Sequence, residues 1–187
     1  NNLATVYSYM NKYQESEALY KRALDITERS FGQEHPNAAK YLNSLATVYS
    51  YQKKYPEAMT VLKKAIDINE TNFGPMNRAA AAYMNNLAAI YSNQGRYAEA
   101  EPLILKALSI DKSACGEESI EVSNDLNNLA TVYSNQGRYP EAEGVLVGAL
   151  EMDEKKLGVL HPHTIATLKN LINLYESQGK YSEAEVF

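Results

Sequence analysis

The sequence contains no tryptophan, three phenylalanines, three histidines and one cysteine in 187 residues. A lone thiol, Cys115, excludes an intrachain disulfide framework and cannot form a zinc site with its sequence neighbours. No apolar run approaches the roughly 18 residues of a membrane-spanning helix, so no membrane insertion is expected. Basic residues are outnumbered 18 to 23, and the formal net charge is -5. That balance argues against nucleic acid as a partner, because contact with phosphates needs a basic face. Gly-rich phosphate loops, nucleophile elbows and helix-borne His-Glu-x-x-His patterns are missing too. His35, His161 and His163 lie between predicted helices, and His161-Pro162-His163 is too short and isolated to read as a metal site. The expectation is a chain with no catalytic residue, metal or cofactor, and not an enzyme. It opens Asn1-Asn2-Leu3 with no basic leader or apolar signal core, so a cytoplasmic location is expected.

What the sequence does have is 45% apolar residues, enough to build a core, and fifteen tyrosines. The tyrosines recur with a period. Segments starting at Asn1, Asn43, Asn85, Asn127 and Lys169 align without insertion or deletion. The units are therefore 1–42, 43–84, 85–126 and 127–168, with a partial fifth at 169–187. Leucine holds position 3 of the unit at Leu3, Leu45, Leu87, Leu129 and Leu171. Tyrosine holds position 7 (Tyr7, Tyr49, Tyr91, Tyr133, Tyr175) and position 13 (Tyr13, Tyr55, Tyr97, Tyr139, Tyr181). A fixed period in the 20–50 residue range signals stacked units that share one continuous core.

Each unit reads as two helices. Leu87, Ala88, Ile90 and Tyr91 follow a three-four spacing, which gives the first helix one apolar stripe. Gly95, Gly137 and Gly179 stand just past its end, where a left-handed conformation suits glycine; Asn11 is a tolerable replacement there and Lys53 a costly one. The second helix starts near Pro56, Ala98 or Pro140, and its buried stripe in the third unit is Ala100, Leu103, Ile104, Ala107, Leu108 and Ile110. By its position in the unit, Cys115 aligns with Phe31, Phe73 and Leu157 and is expected to be buried. The predicted helices are 1–10, 14–30, 36–52, 56–72, 78–94, 98–114, 120–136, 140–156 and 162–178, with a stump from 182.

The run Asn-Asn-Leu-Ala-x-x-Tyr-x-x-Gln-Gly-Arg-Tyr-x-Glu-Ala-Glu, at Asn85 to Glu101 and Asn127 to Glu143, resembles the tetratricopeptide repeat. At 42 residues, with Leu157-Gly158-x-x-His161-Pro162 between units, it is similar to the long repeats of kinesin light chains. The resemblance covers the whole chain. It implies an all-α solenoid, a right-handed superhelix of helix-turn-helix repeats forming a single array over 1–187, with first helices on the concave wall. Kinesin light chain arrays use basic groove residues to hold acidic, tryptophan-containing peptides; here the corresponding helix faces are mostly neutral.

Positions 2, 5 and 9 share one face of the first helix by their three-four spacing. They carry Asn2, Ser44, Asn86, Asn128 and Asn170; Thr5, Thr47, Ala89, Thr131 and Asn173; and Tyr9, Tyr51, Asn93, Asn135 and Ser177. Asparagine offers an acceptor and two donors, which suits the backbone of an extended peptide; the alternative is that these asparagines cap helices or bridge adjacent helices. The expected peptide-binding groove is thus Asn2, Asn86, Asn128, Asn170, Thr47, Thr131, Tyr9, Tyr51, Asn93 and Asn135, with Lys40 as a basic member. Other charged candidates are Arg78 and Lys169 against Asp125 and Glu176. The basic turn residues Lys12, Lys54, Arg96, Arg138 and Lys180 form a row that either steers an acidic partner or pairs with nearby carboxylates.

These readings converge on a protein–protein interaction scaffold or adaptor of the kinesin light chain-like cargo-adaptor type, with a protein or peptide partner. The alternative is a regulatory or self-associating array within a larger protein, such as a nucleotide-binding signalling protein. Solenoids need polar capping units, and neither terminus has one. The chain reads as a fragment whose apolar ends, including Ala184 and Phe187, would stack end to end on another copy.

Overall fold

A computed structural model describes residues 2–184. The side chains of Asn2 and Glu183 lie outside the described residues, as do Asn1 and residues 185–187, so the groove assignment of Asn2 and the apolar end at Phe187 fall there. Among the described residues the secondary structure is helical, with no strand. The chain divides into two compact units, Asn1–Gln94 and Gly95–Phe187. The first holds α1 (Asn2–Tyr9), α2 (Tyr13–Phe31), α3 (Pro36–Tyr51), α4 (Tyr55–Phe73) and α5 (Arg78–Asn93). The second holds α6 (Tyr97–Cys115), α7 (Ile120–Asn135), α8 (Tyr139–Leu157), α9 (Pro162–Ser177) and α10 (Tyr181–Ala184).

Within each unit, helices adjacent in sequence pack on one another, and first helices of successive repeats also touch: α3 with α5, and α7 with α9. Small residues make that packing close. Position 4 of the repeat is Ala4, Ala46, Ala88 and Ala130, all at most 2% exposed. On the second helices Ala58, Ala65, Ala100, Ala107, Ala142 and Ala149 are fully buried. A methyl group at each crossing lets two helix backbones approach while Leu62, Ile104 and Leu146 fill the space beside it. In the second unit one such core joins Ala130, Ala142, Leu146, Leu171 and Leu174. Of the apolar stripe expected on α6, Ala100, Ile104, Ala107 and Ile110 are buried, whereas Leu103 and Leu108 are half-buried.

The predicted boundaries fall within about one residue of the observed ones because the termini carry explicit signals. His35 and His161 cap α3 and α9, their Nδ1 atoms accepting from the backbone N–H of Asn37 and His163. Asn77 and Ser119 do the same for α5 and α7. The histidines between repeats thus include two helix caps. First helices end in a paired cap: Lys54 N–H donates to Tyr49 O and Lys53 N–H to Ser50 O, a pattern repeated by Arg138 and Gly137. Those are the two bonds of a Schellman motif.

One expectation fails at the other end of the hairpin. The residue before the inter-repeat glycine is not a core position, since Phe31 and Phe73 are 66% and 56% exposed and Cys115 is half-exposed. It is the last residue of its helix, beyond the last turn that a neighbouring helix covers.

The caps make a direct prediction. Lys53 has φ 60, a left-handed conformation that costs a residue with a Cβ about 1 kcal/mol or more. Lys53→Gly should therefore raise unfolding free energy by about 0.5–1 kcal/mol. At Gly116, φ 90 and ψ 158 define a region open essentially to glycine alone, so Gly116→Ala should lower stability by about 1–3 kcal/mol. Urea unfolding of the three proteins checks both signs.

Candidate functional site

Among the described residues, clefts lie along the first helices beside the alanine crossings, and Ala46 and Ala130 line two of them. In the first unit, a cleft of about 370 Å³ lies among Thr5, Ser8, Tyr9, Tyr13, Asn43 and Tyr51. Beside it, a cleft of about 200 Å³ is lined by Ala46, Ser50, Asn86, Ala89, Ile90 and Asn93; Thr47 and Tyr51 line both. In the second unit, a cleft of about 300 Å³ is lined by Asn127, Thr131, Ser134, Asn135, Asn170 and Asn173 over Ala130, Leu146 and Leu174. No charged residue lines any of the three.

Of the residues expected on this face, Tyr9, Thr47 and Tyr51 come together in the first cleft, Asn86 and Asn93 join Thr47 and Tyr51 in the second, and Thr131, Asn135 and Asn170 meet in the third. Asn128 on α7 and Lys40 on α3 are exposed but line none of them. Asp125 is not a groove residue at all, being fully buried. Its position in the repeat faces the second helix, as Thr167 shows at the equivalent place by donating to Asp153 Oδ2 at 2.8 Å.

Sequence reasoning passed over positions 1 and 8. Asn43 and Asn127, and Ser8, Ser50 and Ser134, line the clefts. The recurrence of asparagine at position 1 was a usable signal, since positions 1, 5 and 8 also share a helix face.

Position 1 organises the polar rim. Asn86 Nδ2 donates to Asn43 Oδ1 at 2.7 Å, and Asn170 Nδ2 to Asn127 Oδ1 at 2.8 Å, so each bridge joins two successive first helices. Asn127 is itself anchored inward, donating to Ser123 O and Thr167 Oγ1. Thr167 and Ser123 both donate to Oδ2 of buried Asp153, and His163 Nε2 lies 3.1 Å from Ser123 Oγ. A chain of bonds therefore runs from an exposed rim amide to a buried carboxylate. Asn135 donates to Thr131 O. After these bonds Asn135 and Asn170 each retain a carbonyl oxygen and one N–H toward the cleft.

In the row of basic turn residues, Lys54, Arg96 and Arg138 pair with carboxylates. Lys54 Nζ reaches Glu17 Oε2 at 3.0 Å, and Lys21 reaches Oε1 of the same carboxylate at 2.6 Å. Burial pushes the Glu17 carboxyl up, but the hydrogen bonds from Lys21 and Lys54 outweigh it and lower its pKa to about 2. Arg138 repeats the clasp one unit later, donating to both Glu101 oxygens and to Glu141 while lying 4.0 Å from the Tyr133 ring centre. Hydrogen bonds to Glu141 and then Glu101 raise the Arg138 pKa further, and Arg138 in turn lowers that of Glu141. Arg96 pairs with Glu99, and Lys12 and Lys180 sit over Tyr7 and Tyr175. These charges clasp neighbouring helices rather than face the clefts.

The tetratricopeptide repeat sequence profile matches residues 1–71, 78–155 and 126–187. The chain belongs to the tetratricopeptide repeat family. Its fold, an all-α solenoid of long repeats, is shared by the kinesin light chain-type, nearly identical TPR-like repeats from Podosopora anserina, at 24% identity over 98% of this chain and 87% of that one, with TM-scores of 0.85 and 0.83 in two crystal structures. BtubC (BKLC) from P. vanneervenii is similar at 24% identity, 98% and 73% coverage and TM-score 0.86. The apo form of RapI follows at 20% identity, 98% and 64% coverage and TM-score 0.80. No curated protein matches in sequence. Tetratricopeptide arrays are typically non-catalytic scaffolds for protein–protein interaction. No helix among the described residues is long and apolar enough to cross a membrane.

The Glu17 clasp predicts a pH signature. A carboxyl with a lowered folded-state pKa contributes stability that is fully present above its ordinary value of 4.5 and fades as pH falls toward about 2. Glu17→Gln should cost about 1 kcal/mol at pH 7 and progressively less from pH 4.5 downward. Urea unfolding of both proteins at pH 7, 4 and 2.5 measures the convergence.

Proposed function

We propose that this chain is a peptide-binding scaffold whose first-helix clefts hold a partner segment in extended form, mainly through its backbone. The observation that carries the reading is the uncharged character of all three clefts together with the asparagines on their rims. An extended peptide presents an N–H and a C=O at each residue, and an asparagine amide answers both. The bridges Asn86–Asn43 and Asn170–Asn127 hold the rim amides in place before a ligand arrives, which reduces the ordering cost of binding. Small side chains at Ala46, Ala89 and Ala130 leave the floor open to a backbone.

This array is an adaptor of the kinesin light chain-like kind in architecture, with a different preference in cargo. A cleft without cations gives an acidic peptide nothing to pair with, so the segments held here are uncharged. We assign the scaffold to the cytoplasm, a reducing setting that suits the single half-exposed thiol of Cys115.

The test is a library of random twelve-residue peptides probed with the purified chain, followed by calorimetry on the best binders. Micromolar binding is expected, weakened about tenfold by Asn86→Ala combined with Asn170→Ala, at roughly 1 kcal/mol per hydrogen bond lost. Affinity should change less than about threefold between 50 and 500 mM salt, because no counterions are released. Binding that survives the double substitution, or that collapses in salt, overturns the assignment.

A further inference from the structure

The cleft at the α1–α3 face differs in chemistry from the asparagine-rimmed cleft of the second unit. Its walls include four tyrosines, Tyr9, Tyr13, Tyr20 and Tyr51. Tyr13 and Tyr51 are stacked with ring centres 5.3 Å apart and planes 16° from parallel. Tyr9 is 84% exposed and Tyr51 59% exposed, so flat aromatic surface is presented to solvent rather than used in the core.

Most of the polar groups in this cleft are already committed. Tyr20 and Thr5 share a hydrogen bond, Ser8 bonds to Ser16, and Tyr13 donates to Asn11 Oδ1. Ser44 and Thr47 donate back to their own helix. Each side-chain carbonyl on the wall already accepts one hydrogen bond, Asn11 Oδ1 from Tyr13 and Asn43 Oδ1 from Asn86. The hydroxyls of Tyr9 and Tyr51 and the Asn43 amide N–H groups remain as donors on its lining. The cleft thus offers donors and ring faces, with each amide acceptor already engaged once.

A segment that matches this inventory supplies carbonyls and flat apolar rings but few N–H groups. Proline has that description: it lacks the N–H, and in the polyproline II conformation its carbonyls point outward, solvated and unpaired. Aromatic-lined grooves are a general way to read such segments, which lose little entropy on binding because they are already extended. The cleft also lacks charge, as proline-rich stretches do. We propose that the tyrosine-lined cleft of α1, α2 and α3 is a proline-reading subsite that takes one turn of polyproline II helix, its rings against Tyr9 and Tyr51 and its carbonyls on their hydroxyls. This deepens the peptide-scaffold reading and rests on it.

The probe is fluorescein-labelled decaproline, titrated with the 187-residue chain and compared with a glycine-serine decamer. Decaproline should bind with a Kd in the range of about 10–500 µM, and the glycine-serine peptide at least about tenfold more weakly. Tyr51→Ala and Tyr9→Ala should each weaken decaproline about tenfold, the scale of a lost aromatic contact, and Tyr51→Phe about threefold through the lost hydroxyl. Asn170→Ala, in the other unit, should leave decaproline unchanged. Circular dichroism of each variant checks folding, and Tyr9, being largely exposed, provides a site whose removal leaves the core intact. Equal affinity for the two peptides, or decaproline binding indifferent to both alanine substitutions, overturns the subsite. If library peptides bind through Asn86 and Asn170 while decaproline does not bind, the subsite fails and the scaffold stands. If decaproline alone binds, and through Tyr9 and Tyr51, the subsite holds and the asparagine clamp fails.

Discussion

Close approach of helices at alanine is the constraint on which the other features depend. Wherever a first helix crosses a second, a methyl group occupies the contact, as at Ala46 and Ala58 in one unit or Ala130 and Ala142 in the other. A larger side chain there would push the helices apart and cost about 1–3 kcal/mol in strain. The clefts lie alongside these crossings, with Ala46 and Leu62 lining one and Ala130, Leu146 and Leu174 another. Asparagine, threonine and tyrosine beside the crossings form the rims of these clefts.

Charge is kept away from those clefts by a second device. The basic residue that follows each first helix is drawn to a carboxylate or lies over the position-7 tyrosine, as Lys54 does with Glu17 and Tyr49, and Arg138 with Glu101 and Tyr133. The same residue donates its backbone N–H to the tyrosine carbonyl that closes the helix. One side chain thus stabilises a helix end, joins two hairpins and leaves the cleft neutral. His35 and His161 play a comparable structural part as caps.

Much of this was legible in the sequence, for physical reasons that differ from feature to feature. Helix ends were clear because glycine, proline and capping residues recur at fixed positions, and even the strained exception at Lys53 could be named from its place in the alignment. The cleft-bearing face followed from three-four spacing. Asp125 was misassigned because a carboxylate two residues from the cleft-lining Asn127 reads as a surface charge, whereas burial depends on what the second helix supplies opposite it. Phe31 and Phe73 misled in the reverse sense: an apolar residue was taken for core, but a helix terminus can outrun its cover. Bridging of adjacent helices was an open alternative for Asn86 and Asn170, but the partners, Asn43 and Asn127, lie 43 positions away and carry no local mark of the pairing.

The pairing of first helices also sets a ruler. Packed helices lie about 8–10 Å apart, and an extended chain advances about 3.1–3.4 Å per residue. A segment laid across α3 and α5, or across α7 and α9, therefore meets an equivalent rim residue about every third residue. Two asparagines that bridge at that interval impose a cadence on whatever they hold. If the proposed peptide reading holds, the 42-residue period of this chain corresponds to a three-residue period in the sequence of its partner.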